Sequence, residues 1–171
     1  VVIENPIFVE FGVEKYIESN TRFLLINNNW SGLVIDGSEE NIQYIKNDPI
    51  YWQYNIKAES AFINKENINS LIKKNGISGD IGLLSVDIDG NDYWVWDSIN
   101  IINPRIVICE YNSLWGADFA VSIPYNSEFV RSDSHFSNLY YGASIKAFTQ
   151  LAKTKGYSLV GSNKAGNNIF F

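Results

Sequence analysis

Short apolar runs that end in an acidic residue recur along the chain. The runs at 7–12, 32–37 and 81–86 are almost continuously apolar, and a glutamate or aspartate stands near the end of each run or directly after it. Runs of this length and polarity are typical of strands buried on both faces of a parallel sheet. Because open α/β sheets bind ligands at the carboxyl ends of their strands, the acids predict a binding site there.

Amphipathic segments alternate with these runs. The pattern predicts strands over 7–12, 32–37, 52–58, 81–86 and 105–109, with helices over 20–28, 93–99 and 142–156 and after the caps Ser38 and Asn64. Residues 111–139 show no clean period, whereas 157–160 and 168–171 are predicted to form an antiparallel hairpin. The alternation predicts an α/β fold, a Rossmann-like three-layer sandwich whose mostly parallel sheet carries a C-terminal antiparallel hairpin.

The composition narrows the class of protein. The 171 residues suffice for one domain with a full core, and 46% hydrophobic with 19% charged residues indicates a globular chain. A net charge of −6 argues against a nucleic-acid partner, and no apolar run approaches the roughly 20 residues of a membrane span. The single cysteine, Cys109, has no disulfide partner in the chain, so a reducing cytoplasm is expected.

The two ends of the sequence lie close to predicted strands. The first strand begins at residue 7, and the chain stops within the strand-like run 168–171. We therefore expect residues 1–171 to be a single domain trimmed at both ends from a longer chain.

The first two strands end in a pattern that is typical of nucleotide sites. Glu10 and Gly12 close the first strand, and Asp36 stands 24 residues after Gly12, near the roughly 20 expected for a ribose-binding acid. A G-x-G-x-x-G run is absent, because 13–16 contains no glycine. The loop after the first strand therefore lacks the glycine-rich backbone that binds a pyrophosphate, which disfavours NAD and FAD as ligands. An acidic pocket is better suited to a nucleoside that carries a cationic sulfonium.

Several runs resemble one known family. They are VEFGV, SNT, GLVIDGS, LLSVDIDGNDYWVW, PRIVICEYN and GASIKAFTQLAKTKGYSLVG, which together span nearly the whole chain. They are similar to FkbM-like class I S-adenosylmethionine-dependent methyltransferases, in particular to uncharacterised relatives with a DIDGNDYW signature. The resemblance implies S-adenosylmethionine as methyl donor and, commonly, an oxygen acceptor on a sugar or sugar-containing metabolite.

The resemblance also implies roles for particular residues. Those expected at the methyl donor are Glu10 and Gly12 by the methionine part, Ser19, Asn20 and Thr21 beneath its carboxylate, Asp36 with Gly37 and Ser38 at the ribose, Glu59, Ser60 and Ala61 at the adenine, and Asp87 near the sulfonium. The glycine-poor first loop, 13–18, departs from the common pattern of the family.

Transfer to a hydroxyl requires alignment of the acceptor and benefits from a general base. The expected base is one of Asp87, Asp89 and His135, the only histidine. Glu110 and Asn112 follow the fifth strand beside the same edge, so both are expected to hold the acceptor. Tyr140 is expected to stack on a sugar ring. The predicted partner is thus a small-molecule or glycan acceptor.

Other interpretations of the Asp87–Asp89 pair are open. Two aspartates flanking one residue resemble the nucleophile motif of haloacid-dehalogenase-type phosphatases, but that motif lies on the first strand and continues with threonine, whereas Asn91 stands here. The same stretch begins like a calcium loop, with its glycine at the fourth place rather than the sixth. A divalent cation held by Asp87, Asp89 and either Glu110 or Asn112 is a further alternative, but the sequence predicts no metal.

A different class of function is compatible with the same residues. The incomplete glycine loop and the trimmed ends would suit a module that binds S-adenosylmethionine or a nucleotide without turnover. Tight donor binding without transfer to any acceptor would favour that alternative.

Overall fold

One seven-stranded sheet organises the chain. The computed structural model describes residues 3–171. Its strands are β1 (Ile7–Phe11), β2 (Ser31–Asp36), β3 (Ile56–Ser60), β4 (Gly79–Val86), β5 (Ile102–Glu110), β6 (Gly161–Ser162) and β7 (Asn168–Phe170). Their order is β3-β2-β1-β4-β5-β7-β6, with β1 to β5 parallel and β7 antiparallel to both β5 and β6. The α/β prediction with a C-terminal antiparallel hairpin is therefore confirmed.

Helices cover both faces of the sheet. They are α1 (Arg22–Asn28), α2 (Glu39–Asn47), α3 (Ile50–Gln53), α4 (Ile68–Lys74), α5 (Asp92–Ser98), α6 (Arg131–Ser134) and α7 (Ile145–Thr154), with a 3₁₀ turn at Ser113–Trp115. Successive residues of β1 point to opposite cores, as the two-residue period of a strand requires. Phe8 packs in the cluster that contains Leu25 of α1, whereas Val9 packs in the cluster that contains Trp96 of α5.

Of the two predicted caps, Ser38 begins its helix directly and Asn64 does not. Ser38 accepts a hydrogen bond from the amide of Asn41 at 3.3 Å and begins α2. Asn64 does not cap α4 directly, because its side chain accepts from the amide of Asn67, the residue that precedes the helix. Gly76 follows α4 with a φ of +78°, the left-handed conformation that ends a helix.

The predicted third strand begins too early. Residues 50–53 form the short helix α3 instead of a strand, and Trp52 is 75% exposed. The carboxylate of Asp48 accepts from the amide of Ile50 at 2.9 Å, so the Asp-Pro pair before α3 starts a helical turn. The strand itself is β3.

The C-terminal hairpin is antiparallel, as predicted, but its first strand lies at a different position. Residues 157–160 are not a strand, and the two residues of β6 pair with β7. The reason is a tight turn organised by Asn163, whose side-chain oxygen accepts from the amides of Gly166, Asn167 and Asn168. Strand pairing therefore starts next to this turn.

No helix within residues 3–171 combines the length and the apolar character that a membrane crossing needs.

Candidate functional site

A cavity of about 1020 Å³ opens at the carboxyl ends of the parallel strands. Its wall includes Gly12 after β1, Asp36 at the end of β2, Ala61 after β3 and Asp87 after β4, with residues 129–132 contributing from the long segment after β5. Strands β1 and β4 are neighbours although they are distant in sequence, so the cavity lies where the strand order reverses. Ligands of open α/β sheets bind at this position.

Gly12 is required by the backbone itself. Its φ is +67°, and a Cβ at this position would stand 1.6 Å from the carbonyl oxygen of Asp87. The loop after β1 thus crosses directly against the end of β4, which only a residue without a side chain permits. The sequence explained this glycine by close approach to a ligand, and the structure adds close approach to Asp87.

Asp36 is held by its own loop neighbours. One carboxylate oxygen accepts from the amide of Glu14 at 2.7 Å, and the other accepts from the amide of Ser38 at 2.9 Å and from Nδ2 of Asn41 at 3.0 Å. Asp36 and Gly37 both line the cavity. The first oxygen keeps a lone pair for a further donor, since a carboxylate oxygen accepts two hydrogen bonds.

Glu10 stands behind the cavity wall. Its carboxylate accepts from the amides of Asn20 at 2.8 Å and Thr21 at 3.1 Å, and from the Thr21 hydroxyl. Burial raises the pKa of Glu10. Glu10, Ser19, Asn20 and Thr21 are not part of the cavity lining, although all were expected at the methyl donor. Glu10 instead anchors the segment that leads into α1.

The three residues expected at the adenine separate in the structure. Ala61 lines the cavity, but Glu59 forms an ion pair with Lys74, and neither Glu59 nor Ser60 belongs to the lining. Phe62, which the sequence analysis missed, lines the cavity with 51% of its surface exposed. The available signal was an aromatic residue in the short stretch between the predicted strand at 52–58 and the predicted cap Asn64.

Asp87 lies beside two further carboxylates. Oxygens of Asp87, Asp92 and Glu110 lie within 4.8 Å of one another. Burial raises the pKa of Asp87 to about 7, with added repulsion from Asp92 and Asp89 and an opposing effect of Arg131. Burial likewise raises the pKa of Asp92 to about 6 and that of Glu110 to about 9. Asp92 was not predicted from the sequence, because its position is that of an ordinary first-turn residue of a helix.

Arg131 is the third residue of the site that was not predicted from the sequence. Its Nη1 atom lies 2.6 Å from a carboxylate oxygen of Asp89 and 3.7 Å from one of Glu110, and its guanidinium stacks 3.6 Å from the ring centre of Tyr141. Arg131 belongs to a segment without periodicity, which offered no reason to choose it.

Five further residues expected at the donor or acceptor are not part of the cavity lining: Ser38, Glu110, Asn112, His135 and Tyr140. His135 is exposed, and its ring nitrogen bonds the Ser137 hydroxyl at 2.7 Å, so its role as a base stays a prediction. Asn112 is fully buried and donates to the carbonyls of Leu139 and Tyr141, which is a structural use of its amide. Tyr140 packs against another ring of the same segment and does not line the cavity.

The raised pKa values predict how stability depends on pH. Between the ordinary carboxyl value near 4 and about 9, the folded state holds more protons on Asp87, Asp92 and Glu110 than the unfolded state does. The free energy of unfolding should therefore decrease as pH rises from 5 to 9. Urea denaturation in the presence of a chelator tests this, and a stability that is constant or increases over this range would contradict it.

Comparisons with known proteins give structural neighbours only. No family model matches the sequence, and no curated protein matches it. The N-terminal domain of EvdMO1 with SAH bound superposes with a TM-score of 0.58 at 11% identity, over 96% of this chain and 71% of that one. An S-adenosylmethionine-dependent methyltransferase from Clostridium acetobutylicum ATCC 824 gives 0.55 at 11% identity, over 96% and 81%.

An O-methyltransferase family protein from Burkholderia thailandensis also superposes. Its TM-score is 0.58 at 6% identity, over 96% of this chain and 49% of that one. At such low identity the likeness concerns the fold. The chain has the class I methyltransferase fold, with its cavity at the strand-order reversal.

Proposed function

We propose that the chain is an S-adenosylmethionine-dependent methyltransferase of the FkbM-like type that methylates an oxygen of a sugar or sugar-containing metabolite. The observation that carries the proposal is the charge of the cavity at the β1–β4 junction. Five carboxylates line it against one lysine and one arginine. The lining favours a cationic ligand, and the loop after β1 lacks the glycine-rich run that a pyrophosphate needs. Neighbouring folds with SAH bound support the same donor.

The donor half of the cavity is assigned to the ends of β1, β2 and β3. Asp36 would accept from the ribose hydroxyls, Gly37 and Ala61 would border the nucleoside, and Phe62 would stack on the base. Glu10 would act indirectly, because it fixes the amides of Asn20 and Thr21. Glu59 and Ser60 are not assigned to the donor here.

The acceptor half is assigned to Asp87 and to the segment after β5. S-adenosylmethionine, when bound, supplies an electrophilic methyl group. Asp87 would receive the proton of the acceptor hydroxyl, and its pKa of about 7 is close to the value that suits a base at neutral pH. Asp89, paired with Arg131, would orient the acceptor rather than take its proton. A carbohydrate acceptor is supported by the neighbour studied in the presence of SAH and D-fucose.

The ribose assignment of Asp36 predicts a loss of donor affinity. Asp36→Ala should weaken S-adenosylmethionine binding by about 10- to 100-fold, since hydrogen bonds to a charged group contribute about 1.5–3 kcal/mol. Calorimetric titration of the variant measures the effect. Glu39→Ala, which removes an exposed acid of the nearby helix α2, is the control and should bind as the wild type does. Unchanged affinity in Asp36→Ala would refute the assignment.

A non-catalytic donor-binding module is the alternative. Glu14 and Tyr16 both adopt positive φ angles in the first loop, which is an unusual conformation for residues other than glycine. This strained, glycine-poor loop is the observation that favours a divergent binding role. Donor binding without transfer of a labelled methyl group to any sugar or glycan would support this non-catalytic alternative.

The phosphatase alternative receives little support from the geometry. Asp87 follows β4 rather than the first strand, and Asp89 is paired with Arg131 at 2.6 Å. In a phosphatase, both Asp87 and Asp89 would need to face the phosphoryl group, and the ion pair with Arg131 holds Asp89 elsewhere.

A further inference from the structure

Three carboxylates meet beyond the ends of β4 and β5. Asp87, Asp92 and Glu110 each offer one oxygen, and these oxygens lie within 4.8 Å of one another. The ion pairs among residues 3–171 bring one cation to this cluster, Arg131, at 3.7 Å from Glu110. That guanidinium is shared with Asp89 at 2.6 Å. The described residues therefore give these three carboxyl groups one cationic neighbour, which they share with Asp89.

Two buried oxygen atoms, one within this cluster and one on the residue before Asp92, have no hydrogen-bond partner. One is Oε2 of Glu110, whose side chain is only 9% exposed. The other is Oδ1 of Asn91, a residue that is 4% exposed, precedes Asp92 and lines the cavity. Buried acceptors normally have a partner within the protein, in water or in a bound ion. Unpaired carboxylate and amide oxygens are of the types that bind hard cations.

Asp92 is fixed in orientation by the turn that precedes it. One of its oxygens accepts from the amide of Ile88 at 2.8 Å and the other from the amide of Gly90 at 2.9 Å. Backbone donors of this kind orient a carboxylate and leave a second lone pair on each oxygen. The turn therefore holds Asp92 in place against the repulsion of its acidic neighbours.

We propose that Asp87, Asp92 and Glu110 bind a hard divalent cation such as Mg²⁺, Mn²⁺ or Ca²⁺. An all-oxygen ligand set favours these ions over zinc or copper. Two oxygens on opposite sides of one ion stand about 4 Å apart for Mg²⁺ and about 5 Å apart for Ca²⁺, so the spacing within the cluster suits both. Binding of the cation does not depend on methyl transfer. Asp87 offers the cation one oxygen and also lines the cavity, so the cation would adjoin the acceptor half of the proposed active site and leave the second oxygen to face the acceptor.

Direct titration of the cation tests the proposal without any methyl donor. After treatment with a chelator and its removal, the full chain is titrated with MgCl₂, MnCl₂ and CaCl₂ in separate calorimetric experiments. We expect one equivalent of at least one ion to bind with a Kd below about 1 mM, and the same ion to raise the melting temperature. No binding of any of the three ions at that concentration would overturn the proposal.

Matched variants locate the binding. Glu110→Gln should weaken cation binding at least tenfold. It keeps the size of the side chain and removes one long ion pair, the 3.7 Å contact with Arg131. Asp87→Asn provides a second, independent variant. Asp80→Asn removes an exposed acid at the other end of β4 and should bind as the wild type does. Wild-type affinity in both cluster variants, or equal weakening in Asp80→Asn, would refute the site.

Discussion

Replacing Asp87 by asparagine should reduce methyl transfer by about 100-fold or more, which is the lower range of what a positioned general base contributes. Asparagine preserves the shape of the side chain and cannot receive a proton. The loss should appear in kcat, measured as labelled methyl transferred per minute once an acceptor is identified. Donor affinity should change far less, since the ribose is assigned to Asp36 on the other side of β1. Equal losses in kcat and in donor affinity would instead make Asp87 a donor-binding residue.

Two further variants make this result specific. Asp80→Asn neutralises an acid at the start of the same strand and should leave kcat within about twofold of the wild type, as is usual for surface changes. His135→Ala separates the two candidate bases, because His135 is exposed and bonded to Ser137. Full activity in His135→Ala is expected. A collapse of activity in that variant, with Asp87→Asn still active, would transfer the base role to the histidine.

Replacing Gly12 by alanine should destabilise the whole fold. The positive φ of Gly12 disfavours any side chain, and the added Cβ would overlap the Asp87 carbonyl oxygen, 1.6 Å away. Backbone strain and overpacking together predict a decrease of about 2–6 kcal/mol in the free energy of unfolding. Urea denaturation followed by circular dichroism measures it. A decrease below about 1 kcal/mol would show that the β1 loop can move away from β4.

Gly156→Ala is the matched control for this experiment. Gly156 follows α7 with a φ of +84°, but a Cβ there meets nothing within 4 Å. The control therefore has the backbone strain without the overlap, and about 1–2 kcal/mol of destabilisation is expected. The difference between the two variants measures the contact between Gly12 and Asp87.

Features that depend on residues adjacent in sequence were predictable. A short apolar run predicted the first strand, and Ser38 followed by two glutamates predicted the start of α2. The strand at 52–58 was misplaced for an equally local reason, since the helical turn after Asp48 competed with an apolar run that looked like a strand. The fold class followed because the order of strands and helices limits a parallel sheet to few topologies.

The candidate site was only partly predictable, because its members meet through the fold. Asp36 and Asp87 stood out as acids at strand ends, and both line the cavity. Arg131 is 42 residues away from its partner Asp89, in a segment without periodicity, so nothing in the sequence pairs them. Asp92 looked like a helix-start residue, and only the tertiary structure brings its carboxylate within 4.8 Å of Glu110. Electrostatic clusters of this kind emerge from tertiary structure.

The most direct test of the account is a calorimetric titration of the chain with S-adenosylmethionine, with NAD as the control ligand. We expect S-adenosylmethionine to bind with a Kd in the micromolar range and NAD to show no measurable binding, because the cavity is acidic and lacks a pyrophosphate loop. Folded protein that binds NAD, or that binds neither ligand, would contradict the assignment of the cavity to a sulfonium donor.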